Sequence, residues 1–178
     1  GIGLIGSSIA RAIKKTEYIV KNLVLTDADK LVRAKAKKLG LADSVEDNLC
    51  AAVVGADCVI LCTPIGNYAE IMESISGHLK PGCIVSDVGS VKRAPITDMS
   101  PYIPENVHFV PGHPIAGTEK SGPESGFAEL FDGRYWLLTP PVGTNRKAVK
   151  KMRCLFEAIG AMVEEMDPDY HDKDRKSV

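Results

Sequence analysis

The first six residues, Gly1-Ile2-Gly3-Leu4-Ile5-Gly6, spell a glycine pattern that can hold a diphosphate against bare backbone. Gly1 permits a tight turn, Gly3 lets an anion approach the main chain, and Gly6 lets the following helix pack onto a sheet with its positive end facing the phosphates. A purely structural glycine turn has the same spelling, so the motif needs a partner. Asp27 supplies one. It closes the apolar run Leu23-Val24-Leu25-Thr26, 21 residues after Gly6, where a carboxylate would meet an adenosine ribose. An acid there accepts hydrogen bonds from a 2′-hydroxyl and repels a 2′-phosphate, and no arginine follows at once, so NAD is expected over NADP. A strand-terminal Asp that only caps is the alternative.

A further apolar run ends Leu61-Cys62-Thr63-Pro64. Ligands of open α/β sheets lie beyond the carboxyl ends of the strands, which places Thr63 and Pro64 at the wall of the cofactor cleft. Pro64 would serve equally as a plain strand stop. Cys62 lies within an apolar strand, where a thiol is usually inert. Two polar segments are expected at the same edge: Ser86 to Lys92, and Pro111 to Gly122. Of the four histidines, only His113 falls in such a loop, whereas His78 is near a helix end, His108 begins a strand and His171 sits in a polar tail. A loop histidine is more often structural, but this position beside a cofactor cleft makes His113 the candidate base.

The elements that must position these groups alternate β-branched runs with helical stretches, the pattern of βαβ units and a mainly parallel sheet. Strands are expected at 23–26, 58–62, 83–86, 108–110, 135–139 and 162–165, and helices around Ile9 and Ile13, over 31–39 with Gly40 as stop, and through Tyr68, Ile71, Met72, Ile75 and Leu79. The fold class is therefore doubly wound α/β. A glycine turn of this kind normally follows a buried central strand, so the sheet is expected to lack its first strand. Strands 23–26 and 58–62 should then belong to one sheet, with a gap or apolar edge between them. Residues 1–166 are expected to form the NAD-binding domain, and 167–178, a dense polar run, a frayed tail or the stub of a linker.

Composition narrows the remaining classes. The 178 residues suit one domain, with 44% apolar and 25% charged residues as in globular proteins. A net charge of -1 gives no bulk attraction for nucleic acid or an anionic membrane. With no leader and no apolar run near the ~18 residues that span a bilayer, a cytoplasmic location is expected. Five cysteines without a CxxC pair argue against a disulfide framework or a zinc site, and no metal is expected.

The strings GIGLIGSSIA, Cys62-Thr63-Pro64, SDVGSVK and above all GHPIAGTEKSG resemble the prephenate and arogenate (cyclohexadienyl) dehydrogenases of tyrosine biosynthesis, over a stretch reaching about Asp172. The resemblance implies a Rossmann-like domain and NAD-dependent oxidative decarboxylation of prephenate to 4-hydroxyphenylpyruvate, or of arogenate to tyrosine. It also implies a helical second domain that completes the substrate site, carries the arginine that clamps the substrate carboxylate and mediates homodimerisation. By motif, His113 matches the catalytic histidine bonded to the substrate's ring hydroxyl, Ser90 matches a serine holding that hydroxyl and the histidine, and Glu119 matches an acid lining the pocket. From the residues alone, Ser90 could cap a helix after Val91, and Glu119, Lys92 and Lys120 could be solvated charges. The 178 residues by themselves are expected to be inactive. The competing readings are a non-catalytic NAD-sensing module and another small-acid Rossmann dehydrogenase.

Overall fold

Buried Ile9, Ala10, Ala12 and Ile13 form one face of the first helix, α1 (Leu4–Lys15), and the basic residues Lys14 and Lys15 close its last turn. The computed structural model describes residues 1–16 and 18–174. After α1 come β1 (Val24–Thr26), α2 (Lys30–Lys38), β2 (Ser44–Glu46), α3 (Leu49–Val53) and β3 (Cys58–Leu61). Gly40, at a φ of +61°, takes the left-handed turn that ends α2. Next are α4 (Tyr68–Ile75), β4 (Ile84–Asp87), α5 (Arg93–Met99), β5 (His108–Phe109) and β6 (Gly112–Pro114). The chain continues through β7 (Tyr135–Leu138), α6 (Arg146–Ala158), β8 (Met162–Glu165) and α7 (Pro168–Asp174). Among the described residues, no helix is long and apolar enough to cross a membrane.

Side-chain alternation along the strands builds a core on each face of the sheet. Ile84 of β4 and Val110 join Ile9, Ile13, Trp136, Val149, Met152 and Phe156, so α1 and α6 cover one face. Val85 and Phe109, one residue out of step, join Val53, Tyr68, Met72, Ile75 and Met99 beneath α3, α4 and α5 on the other. This is the doubly wound α/β arrangement. Among the described residues every strand pair is parallel except β6 with β7, where His113 stands opposite Leu137.

Hydrogen bonding divides the strands into three ladders, β1-β2, β3-β4-β5 and β6-β7-β8. The expectation that β1 and β3 share one hydrogen-bonded sheet is therefore corrected: they lie in different ladders, since no strand between them carries the bonds across. The expected gap is present. A cavity of about 1120 Å³ lies between them, lined by Leu25 and Val24 of β1, Val59 and Ile60 of β3, Ile13 of α1 and Met152 of α6. Gly1 sits at its head, with its nitrogen donating to the Thr26 carbonyl, 3.1 Å, and its Cα against the Cys62 carbonyl.

The polar run 167–178 contains a helix. Asp167 accepts the N–H groups of Asp169 (2.8 Å) and Tyr170 (3.1 Å) and so starts α7, which packs beside α5 through the Arg93–Asp169 ion pair. Arg175 to Val178 lie outside the described residues.

In the larger core, Phe156 stacks on Trp136 with ring centroids 3.7 Å apart and planes 14° from parallel. Phe156→Ala should cost about 3–5 kcal/mol in urea unfolding, the range for deleting a buried aromatic. A loss well under ~1 kcal/mol would mean that the face covered by α6 repacks freely.

Candidate active site

The glycine turn forms a cradle with an open front. A Cβ on Gly6 would run into the Gly1 carbonyl oxygen and a Cβ on Gly1 into the Cys62 carbonyl oxygen, whereas a Cβ on Gly3 would meet nothing within 4 Å. The first two contacts bring α1 down onto the turn, and the third leaves backbone accessible. Gly3 gives the helix no side-chain cap, and no acidic residue stands in its first turn. The N–H groups of Leu4, Ile5 and Gly6 lack intrahelical acceptors, as in any first helical turn, and the positive helix end is not neutralised locally. Ser8 instead accepts the Phe127 N–H (3.1 Å) and Arg11 donates to the Pro123 carbonyl (3.0 Å), which clasps the 123–131 segment over α1.

Asp27 lies at the end of β1. Its Oδ2 accepts the Ile2 N–H at 2.7 Å and its Oδ1 the Asp29 N–H at 2.9 Å, so the carboxylate braces the glycine turn from the side. Each oxygen retains acceptor capacity for a ribose hydroxyl. Arg33 donates to the Asp27 and Ala28 carbonyls (2.7 and 3.0 Å) and pairs with Asp47, holding the Asp47 carboxyl below its usual range. Thr63 stands beside Gly1, and its Oγ1 is buried without a protein partner among the described residues, as suits a group that bonds a ligand. Pro64 is exposed and opens the turn Ile65–Asn67. Apolar surroundings push the Cys62 thiol up to about 11, consistent with an inert side chain.

From this cradle the carboxyl ends of the strands run in a row toward His113. Leu61 of β3 is in register with Asp87 of β4, and Asp87 Oδ1 accepts the N–H of Gly112, the residue before His113, at 3.1 Å. Asp87 Oδ2 takes the Gly89 N–H (2.8 Å) and the Lys92 ammonium (2.5 Å), and Lys92 also donates to the Gly112 carbonyl at 2.6 Å. Both charged side chains are wholly buried. Burial pushes the Asp87 carboxyl up and the Lys92 ammonium down, each opposed by its partner's charge. Lys92 is thus not a solvated charge.

His113 is on a short strand rather than in a loop, because β6 pairs with β7. A Cβ at Gly112 would meet Trp136 Nε1 at 2.7 Å, so only glycine fits there. His113, Leu137 and Glu164 form one row across the ladder, on the face away from Trp136 and Leu138. On that face lies a cavity of about 750 Å³, lined by His113, Ile115, Ala116, Tyr135, Leu137, Glu164, Glu165, Met166 and His171. His113 Nδ1 is 2.9 Å from Nε2 of His171, which is 4% exposed, and His171 Nδ1 is 2.7 Å from Asp172 Oδ1. Asp172 also accepts the N–H groups of Lys92 (2.9 Å) and Arg93 (3.0 Å). Neither His171 nor Asp172 is evident from sequence periodicity, although Asp167-Pro168 is a helix-start signal that could have placed them on a helix.

Ser90 lies half-buried on the turn that Asp87 and Lys92 fasten to Gly112, and it does not cap α5, whose first helical residue is Arg93. Glu119 and Lys120 are exposed on the 115–122 loop, and neither lines the cavity beside His113.

Residues 9–165 match the family model described as prephenate dehydrogenase, nucleotide-binding domain. The chain belongs to that family. It is 39% identical to the cyclohexadienyl dehydrogenase of Zymomonas mobilis over 97% of this chain and 58% of that protein. With the prephenate dehydrogenase of Bacillus subtilis the identity is 34%, over 97% of this chain and 46% of that one. The crystal structure of Aquifex aeolicus prephenate dehydrogenase in complex with hydroxyphenyl propionate and NAD+ superposes with a TM-score of 0.88 at 32% identity, covering 97% of this chain and 59% of that one. The chain spans about half the length of the curated relatives it matches.

Because the Asp87–Lys92 pair is dry, Lys92→Met should leave a lone buried carboxylate and destabilise the domain by about 3–5 kcal/mol. Lys120→Met, at an exposed position, should stay within about 0.5 kcal/mol. Denaturant titration of the two variants side by side checks the contrast.

Proposed function

We propose that the protein carrying this domain catalyses NAD-dependent oxidative decarboxylation of prephenate to 4-hydroxyphenylpyruvate, or of arogenate to tyrosine. The observation that carries this reading is the row of strand ends from Gly1 through Thr63 and Asp87 to His113, which puts a dinucleotide cradle and an imidazole on one sheet edge. Gly1, Gly3, Leu4, Ile5 and Gly6 would hold the pyrophosphate, Asp27 the adenosine ribose, and Thr63 and Pro64 the cleft wall. Bound NAD supplies the hydride acceptor. His113 is the general base: it takes the proton of the ring hydroxyl while C4 loses hydride, and departure of the ring carboxylate as CO2 restores aromaticity. A base so positioned contributes ~10² to 10⁴-fold. Ser90 is assigned to holding the hydroxyl and His113, and Glu119 to the substrate pocket of the whole protein.

The substrate is a small dicarboxylate, yet no lysine or arginine lines the cavity beside His113 among the described residues, and Glu164 and Glu165 do. Arg146 and Arg153 engage Glu165 and hold its carboxyl below the usual range. The carboxylate clamp is therefore assigned to a helical second domain reached through 167–178, packing on the face that exposes Ile115, Tyr135 and Met162. The whole protein is proposed to be a cytoplasmic homodimer with small-molecule ligands and no nucleic-acid or membrane partner, a reading supported by the balanced charge of these 178 residues and by family membership.

In the intact protein, His113→Asn should bind NAD as before and lose ~10²-fold or more in kcat. Near-wild-type turnover with saturating prephenate and with saturating arogenate would remove the base assignment. Asp27→Ser should narrow the preference for NAD over NADP by removing charge repulsion at the 2′-position. It should also weaken NAD itself, since the Ile2 N–H loses its acceptor; Kd values for both cofactors, from titration of the domain, check the two effects together.

A further inference from the structure

A base must present a bare nitrogen, and an imidazole has two nitrogens to choose between. The polar chain behind His113 makes that choice. At its far end, Asp172 accepts the backbone N–H groups of Lys92 and Arg93, donors that cannot reverse direction. Burial pushes the Asp172 carboxyl up, but the hydrogen bonds from Arg93, His171 and Lys92 together hold it below its usual value. An ionised carboxylate only accepts, so His171 must carry its proton on Nδ1. A neutral imidazole has one N–H, which leaves His171 Nε2 bare. The 2.9 Å contact is then a hydrogen bond that His113 Nδ1–H donates to His171 Nε2. The remaining nitrogen of His113, Nε2, is thereby set as the acceptor.

We propose that His171 and Asp172 are positioning residues that fix the tautomer of His113 and stabilise the imidazolium it becomes on taking a proton. As His113 gains charge, its Nδ1–H bond to His171 strengthens, and the Asp172 carboxylate balances that charge through the intervening ring. No proton need leave Nδ1 for this to operate, and atoms and charge balance at His113 alone. His171, 4% exposed and T-shaped against His113 with planes 73° apart, also keeps the ring from turning. The assignment of a tautomer stands on hydrogen bonds in this chain; its catalytic consequence rests on the function proposed above.

Imidazole 15N chemical shifts of the chain, recorded across a pH series extending into the alkaline range, test the first part without any turnover. Wild-type His113 should give the Nδ1–H pattern, and an Nε2–H pattern would overturn the proposal outright. His171→Phe fills the volume without an acceptor and should shift His113 toward Nε2–H, whereas His171→Gln keeps an amide oxygen that can accept and should preserve Nδ1–H. In the intact enzyme, kcat should fall at least ~10-fold in His171→Phe with NAD affinity unchanged, and less in His171→Gln, as part of the ~10² to 10⁴-fold that a positioned base contributes. If Phe is tolerated as well as or better than Gln, the residue serves packing alone and the proposal fails. If the wild-type tautomer is as expected but His113→Asn keeps full activity, it is the assignment of the base that falls, not the hydrogen-bond chain.

Discussion

Lys92 reaches from the turn after β4 back beneath it, and its ammonium meets the Asp87 carboxylate and the Gly112 carbonyl where no water reaches. An apolar pair of equal volume would stabilise the domain as well or better, because desolvating two charges offsets most of their attraction. Apolar atoms could not, however, specify four polar contacts at one point. Asp87 and Lys92 together grip the N–H and carbonyl of Gly112 and the N–H of Gly89, so the end of β4, its following turn and the start of β6 have one geometry. Lys92 then offers its own N–H to Asp172, extending the same network to α7. The imidazole of His113 is oriented at both ends of this network, from the backbone beside it and from the ring behind it.

The glycine turn is held by similarly few contacts at the other end of the edge. Gly1 touches Thr26 and Cys62, and Asp27 ties Ile2, so the glycine turn is fixed by the tips of β1 and β3 although those strands share no hydrogen bonds. Below the tips, their facing edges remain unladdered across an apolar cavity.

Periodicity made most of the scaffold legible. The strands at Val24, Cys58 and Tyr135 are near-continuous apolar or β-branched runs, those at Ile84 and Met162 open on an apolar pair before turning polar, and the helices at Ile9 and Tyr68 have apolar residues every three or four positions. Short β2 and β6 were not legible, since three residues carry too little pattern, and β6 consists of Gly, His and Pro. His113 stands out in the sequence through its neighbours, whereas its partner His171 is 58 residues away in a run whose charges conceal a helix. The burial of Lys92 is hidden from sequence for a related reason: a lysine signals solvent unless its counter-ion is known, and Asp87 becomes that counter-ion only once the turn has folded.

Gly112 does more than leave room for Trp136. Along a strand the side chains alternate between faces, so the one position where no side chain fits fixes the phase of all the others. With Gly112 confined against the indole, His113 must point to the opposite face and Pro114 back into the core. A deletion or insertion of one residue between Val110 and Pro114 would invert that phase, burying the imidazole and turning a proline or a glycine toward the cavity. The segment can therefore vary in length only by even steps without exchanging the chemistry of its two faces, whereas the 115–122 loop just beyond it carries no such parity.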